Sequence, residues 1–252
     1  MNAPAMVAEF DDVAGWTADA VERLGERYAI PAACRGSASP AALAWLAEAC
    51  ELAAGDLLLD VGAGVGGPAA WAASRFGVRP VLVEPMPSAC RAASRLFGLP
   101  VVRAEGTRIP LRDRSADAVW CLGVLCTVRD KAAMLREFHR VLKPGASLGL
   151  LVIVARGSWV GPVPEGNHFP TRRELAALLD GAGFDLVEQV EAPSGVPLSW
   201  SRRSARVAAA VAARHSAEPA HRMAEGQGDI FGRLFASRQI ATHLVHAAWR
   251  AK

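Results

Sequence analysis

At 252 residues, 52% of them hydrophobic, and with a net charge of only +3, the chain is long enough for one sizeable core and too apolar for intrinsic disorder. Its apolar runs are short and interrupted, so no membrane-spanning segment is expected. The opening residues MNAPAMVAEFDD have neither the basic region nor the apolar core of a secretion signal, which makes a cytoplasmic protein the expectation.

Cysteine usage and charge placement exclude more. Five cysteines (Cys34, Cys50, Cys90, Cys121 and Cys126) with no C-x-x-C pair argue against a disulfide framework and against a zinc site, so no metal is expected. Basic residues that do not interleave with aromatics argue against a nucleic-acid partner. Nothing in the sequence fixes the oligomeric state.

Val21, Leu24 and Tyr28 lie at helical spacing and predict a helix over 16–28. The segment IPAACRGSASP, punctuated by Pro31, Gly36 and Pro40, reads as a loop. Ser39-Pro40 starts a second helix running to Ala53, with Leu43, Leu46 and Leu52 on its apolar side. From Asp56 onward strand and helix alternate. Strands are expected at 57–61, 80–84, 101–104, 116–124 and 147–154, and helices at 68–76, 87–97 and 129–142. Lys143-Pro144-Gly145 then reads as the turn that ends a helix.

Thr171 is placed to cap a helix over 172–179, closed by Gly181-Ala182-Gly183 before a strand at 184–190. Helical stretches at 203–215 and 230–237 interrupt the pattern, and 241–249 returns as a last strand. Short connections with one strand after each helix imply parallel strands covered on both faces. The expected fold class is α/β: a Rossmann-like seven-strand, mostly parallel sheet with helices on both faces. It forms a single domain with an N-terminal helical cap (1–39), a core (40–191), a helical lid insertion (192–240) and a last strand (241–252).

The segment LLLDVGAGVGGP, residues 57–68, carries the most information. A buried strand ends in an acid and enters a glycine loop whose backbone can approach a ligand closely. Pro68 suits the first turn of the helix that follows. A strand, a glycine turn and a helix N-terminus form the nucleotide crevice of an open α/β sheet. Gly62, Gly64 and Gly67 satisfy G-x-G-x-x-G, with Glu84 near the distance of a ribose contact. Asp60, two residues before the first glycine, would repel a pyrophosphate and suits a ligand bearing an ammonium group and a sulfonium.

With Asp60 in place, DVGAGVG resembles the first motif of class I S-adenosylmethionine-dependent methyltransferases of the small-molecule type. RAEGTRIPLRDRSADAV, WCLGVLCTV and REFHRVLKPGASLGLLVI resemble later motifs of that family. The resemblance implies that Asp60, Gly62, Gly64 and Gly66 hold the methionine end of S-adenosylmethionine. Glu84 would take the ribose hydroxyls and Met86 the adenine face. Glu105 would accept from the adenine amino group, Gly106 would donate to a ring nitrogen, and Leu122 and Gly123 would line the methionine arm. The chain departs from the pattern with Glu105 for the commoner Asp, and with Leu111 and Ala116 for Phe. Cys126 stands where many relatives carry a histidine and reads as a pocket wall.

Outside the motifs, Arg35 lies just before the core, and its guanidinium suits a carboxylate such as that of the methionine moiety. His168, in VPEGNHFPT after the fifth strand, is the candidate general base. His139 reads as structural, and His215, His221, His243 and His246 receive no role. Arg202, Arg203, Arg206, Arg214 and Arg222 make the insertion basic, either as a solvated face or as a pocket for an anionic acceptor.

The function expected is methyl transfer from S-adenosylmethionine to O, N or C of a small-molecule acceptor, leaving S-adenosylhomocysteine, in secondary-metabolite, quinone or lipid metabolism. Two alternatives stay open: a non-methylating enzyme that binds the same cofactor, such as a cyclase, and an NAD(P)-dependent oxidoreductase.

Overall fold

The computed structural model describes residues 4–34, 39–157, 161–193 and 195–251. Arg35 lies outside the described residues.

Seven strands form one sheet: β1 (Leu57–Val61), β2 (Arg79–Val83), β3 (Val101–Val102), β4 (Ala116–Leu122), β5 (Leu142–Ala155), β6 (Phe184–Glu191) and β7 (Ile240–Trp249). Their order is β3-β2-β1-β4-β5-β7-β6. β1 pairs in parallel with β2 and β4, whereas β7 runs antiparallel between β5 and β6. The expected mostly parallel sheet is therefore present, with its one reversed strand at the end of the chain. The expected turn at Lys143-Pro144-Gly145 survives as a bulge. Leu142 pairs with Ala116 and Ser147 with Ala118, so the residues between them stand out of register with β4.

Alternation along the strands divides the core into two layers. Leu59, Val61, Val119 and Cys121 face α6 (Lys131–Val141) and α7 (Arg172–Ala182), packing on Leu135, Phe138 and Leu179. Leu58, Ala118 and Trp120 face α3 (Pro40–Ala49) and α4 (Gly67–Phe76), packing on Leu43, Leu46 and Trp71. Caps fix the entries. Ser39 Oγ accepts from Ala42 N at 3.1 Å, and Thr171 forms a reciprocal capping box with Glu174.

The N-terminal segment departs from expectation. Helix α1 spans Pro4–Leu24, starting twelve residues before the expected position, and a 3₁₀ turn at Glu26–Tyr28 leads into the short helix α2 (Ala29–Ala33). Part of the expected loop is therefore helical. Met6, Phe10, Val13, Ala14 and Thr17 recur at three- and four-residue spacing, and that stripe needs a partner to bury it. Helix α5 (Pro87–Phe97) supplies one: Asp11 Oδ1 accepts from Ser88 N at 2.6 Å at its first turn, and Arg95 pairs with Asp19 at 3.0 Å farther along.

The insertion before β7 consists of α8 (Leu198–His215) and α9 (Pro219–Ala236). Val207 and Val211 of α8 pack against Ala20 and Val21 of α1, and His215 stacks on Trp16 with ring centroids 4.3 Å apart. Helices α1 and α9 together roof the carboxyl ends of β1, β2 and β4.

Candidate functional site

Three features of the β1–α4 connection create an opening beneath that roof. Gly62 has φ +71°, and a Cβ there would collide with the Val124 side chain. Gly64 has φ +55°, lines the cavity, and a Cβ on it would meet no protein atom within 4 Å. Only residues without a side chain let the loop hug β4 while leaving room on its ligand side. Gly66 N-caps α4, and a Cβ there would lie 2.9 Å from Leu82 Cδ1.

The resulting cavity measures about 540 Å³. Of the expected residues it gathers Asp60, Gly62, Gly64, Glu84, Met86, Leu122 and Gly123. Glu84 is 4% exposed, and its two oxygens are engaged by backbone: Oε2 accepts from Gly64 N at 2.7 Å and Oε1 from Met86 N at 3.0 Å. The carboxylate thus braces the glycine loop and keeps further acceptor capacity for a ligand hydroxyl. Burial pushes its pKa up, opposed by those two N–H groups.

Asp60 is 1% exposed, and its Oδ2 has no hydrogen-bond partner. Burial, and then the negative charge of Glu84, pushes its pKa up to about 7. An orphaned buried carboxylate oxygen on a cavity wall is a place for a cation.

Several expected residues are not brought to this cavity. Gly66, Glu105 and Gly106 are absent from its lining. Glu105 is exposed on the surface, and Gly106 is buried where a Cβ would strike Met134 and crowd Val61. His168 is exposed as well, and its backbone N–H donates to Cys126 O at 2.7 Å. The loop turns its neighbour inward instead: Asn167 is 4% exposed and lines the cavity. Its Nδ2 donates to Glu165 O at 3.1 Å, whereas its Oδ1 has no partner. Arg202, Arg203, Arg206, Arg214 and Arg222 do not line the cavity, which leaves the solvated-face reading of the basic insertion.

Cys126 is a buried wall residue whose thiol burial pushes up to about 11, far from a thiolate at neutral pH. His139 is structural: its Nε2 lies 3.0 Å from Arg250 O and its ring stacks on Trp249. No cluster of metal-ligating side chains occurs among the described residues.

The sequence led to the expectation of a helical cap and a helical lid but named none of the residues by which α1 and α9 line the cavity. Phe10, Val13 and Thr17 of α1 line the cavity, as do Gln227, Gly228 and Phe231 of α9. The α1 stripe was readable as helical spacing, whereas its docking on α5 and α9 carries no local signal. Gly226, Gly228 and Gly232 sit inside α9, and a Cβ on any of them would meet nothing within 4 Å. Packing does not require them, and each lowers the stability of the helix by about 1 kcal/mol relative to Ala. Gly226→Ala with Gly232→Ala is expected to raise Tm by several degrees and to slow ligand release, read by stopped-flow fluorescence. An unchanged release rate would show that α9 does not move during release.

Residues 59–150 match the family described as a methyltransferase domain. The chain is 32% identical over 160 residues to "Methyltransferase GfsG" of Streptomyces halstedii, covering 57% of this chain and 58% of that one. It is 40% identical over 129 residues to an uncharacterized methyltransferase of Mycobacterium bovis, covering 49% of this chain and 47% of the relative. The chain thus spans about half the length of these curated relatives. Among solved structures, the [4+2]-cyclase SpnF has a TM-score of 0.68 at 23% identity, covering 86% of this chain and 84% of its own. Geranyl diphosphate C-methyltransferase from Streptomyces coelicolor A3(2) has a TM-score of 0.63 at 17% identity, covering 82% and 74%. At these identities the two structures share the fold.

Proposed function

We propose that this chain, whose residues 59–150 match a methyltransferase domain, is a class I S-adenosylmethionine-dependent methyltransferase that binds S-adenosylmethionine in the 540 Å³ cavity and methylates a small-molecule acceptor held under α1 and α9. The observation that carries the reading is the pair of buried carboxylates, Asp60 with an unpartnered oxygen and Glu84 clamped on the glycine loop. A pyrophosphate would be repelled by that pair, whereas an ammonium and two ribose hydroxyls match it.

When bound, the cofactor supplies a methyl group on a positively charged sulfur, and that charge is relieved on transfer. The chain's own residues do the rest. Asp60 attracts the ammonium, Glu84 accepts from the ribose, and Met86 lies along the adenine. Leu122 and Gly123, at the end of β4, bound the methionine arm. Helices α1 and α9 exclude water and hold the acceptor in line, which accounts for most of what such a displacement requires of a protein. No membrane-crossing helix is present among the described residues.

Titration by calorimetry and thermal shift tests the cofactor. S-adenosylmethionine and S-adenosylhomocysteine are expected to bind and raise Tm, and NADH is expected to do neither. Stabilisation by NADH alone would overturn the assignment. Formation of S-adenosylhomocysteine with a supplied acceptor tests the reaction. Tight cofactor binding with no turnover across a broad acceptor panel would favour the non-methylating reading.

A further inference from the structure

A second cleft, of about 560 Å³, opens where α9 ends and β7 begins. Val196, Phe235 and Ile240 give it apolar walls, and Arg156, Glu191 and Arg238 carry its charges. The two arginines differ. Arg156 is neutralised, its Nη2 donating to both oxygens of Glu191 at 2.7 and 2.6 Å. Arg238 makes no ion pair or side-chain hydrogen bond with any described residue. The stretches 35–38, 158–160 and 194, which adjoin the lining in sequence, contain no Asp or Glu to pair with it. One positive charge of the cleft is therefore left over.

Arg238 is also held where an arginine costs stability. It follows the C-cap of α9 and has φ +55°. Arg238 N donates to Phe235 O and Gln239 N to Leu234 O, both at 3.0 Å, the pair of bonds with which a helix ends in a left-handed residue. Glycine takes that position most readily, because it has no Cβ to crowd the backbone. The turn is pinned from outside: Arg156 N donates to Gln239 O at 2.9 Å, and Gly161 N to Gln239 Oε1 at 2.7 Å. An unpaired arginine at a strained position that favours glycine points to a task for its side chain.

We infer that this cleft binds an amphipathic molecule ending in a carboxylate or a phosphate, with Arg238 holding the anionic end and Val196, Phe235 and Ile240 the apolar chain. A guanidinium offers paired donors that match either oxyanion. The site is separate from the one proposed for S-adenosylmethionine and goes beyond that reading.

Calorimetry on the full chain with octanoate, octyl phosphate and 1-octanol tests the site. Phe235 lines both this cleft and the 540 Å³ cavity, so each titration is run with and without saturating S-adenosylhomocysteine. At least one of the two anions is expected to bind about tenfold more tightly than octanol in either condition, and the tighter one names the headgroup. Arg238→Gly relieves the turn, so it should erase the preference for the anion without lowering Tm. Arg238→Lys, which keeps the charge in the same turn, should retain part of the preference. Equal affinity for octanol and both anions in the wild type, an anion preference that survives in Arg238→Gly, or displacement of the anion by S-adenosylhomocysteine would overturn the proposal. Anion binding of the expected selectivity in a chain that does not bind S-adenosylhomocysteine would overturn only the cofactor reading.

Discussion

Glu84→Ala is expected to weaken S-adenosylhomocysteine binding by on the order of a hundredfold and to lower Tm by several degrees. The carboxylate takes a hydrogen bond from Gly64 N at 2.7 Å and from Met86 N at 3.0 Å, so one side chain holds both the glycine loop and the residue proposed to lie against the adenine. Hydrogen bonds to a charged group contribute about 1.5–3 kcal/mol each, and truncation leaves two N–H groups in a mostly buried site without their partner. The proposed ribose acceptor disappears with them. Glu84→Gln separates charge from geometry. Its amide has one oxygen, so it can serve Gly64 or Met86 but not both, and its NH₂ would face the other N–H. Its affinity should fall at least about tenfold, or 1.4 kcal/mol, in calorimetry. Wild-type affinity in Glu84→Gln would show that the carboxylate acts neither as brace nor as ribose acceptor.

What could be read in the sequence follows the range of the interactions. The β1–loop–α4 unit was legible because each part depends on neighbours: an apolar run, glycines at fixed offsets and Pro68 at the first turn. Asp60 and Glu84 were legible for the same reason, since both sit at the carboxyl ends of recognisable strands. The roof was not. Only the last nine of the 21 residues of α1 were predicted, because its first turns are stabilised by burial against α5 and α9, which are far away in sequence. Asn167 was overlooked in favour of its neighbour His168. In an irregular loop no periodicity says which of two adjacent side chains turns inward. Glu105 shows the converse. It occupies the expected motif position, yet the structure leaves it exposed and outside the cavity lining, so a role at the adenine requires it to turn inward when ligand binds.

Asp60 should make cofactor affinity depend on pH while opposing the stability of the ligand-free protein. Burial and the nearby Glu84 push its pKa up to about 7 from an ordinary 3.8. Below that value a proton occupies the site proposed for the cofactor's ammonium. Affinity should therefore rise up to about tenfold per pH unit between about pH 5.5 and 7 and level off above. The stability effect has the opposite sign. A carboxyl group whose pKa is higher folded than unfolded contributes no penalty below about pH 4, where it is protonated in both states. The penalty grows as pH rises and is complete above about 7, where it is ionised in both. Asp60→Asn removes the ionisation, so ligand-free Asp60→Asn should have a higher Tm than the wild type near pH 8, with the gap closing toward pH 4. The same variant should bind S-adenosylhomocysteine at least about tenfold more weakly at pH 8 and lose the pH dependence. Calorimetry and thermal denaturation across pH 5.5–8 measure both effects. If Asp60→Asn bound the cofactor as tightly as the wild type with the same pH profile, the cation would have to be held elsewhere, and the central assignment of the cavity would fall.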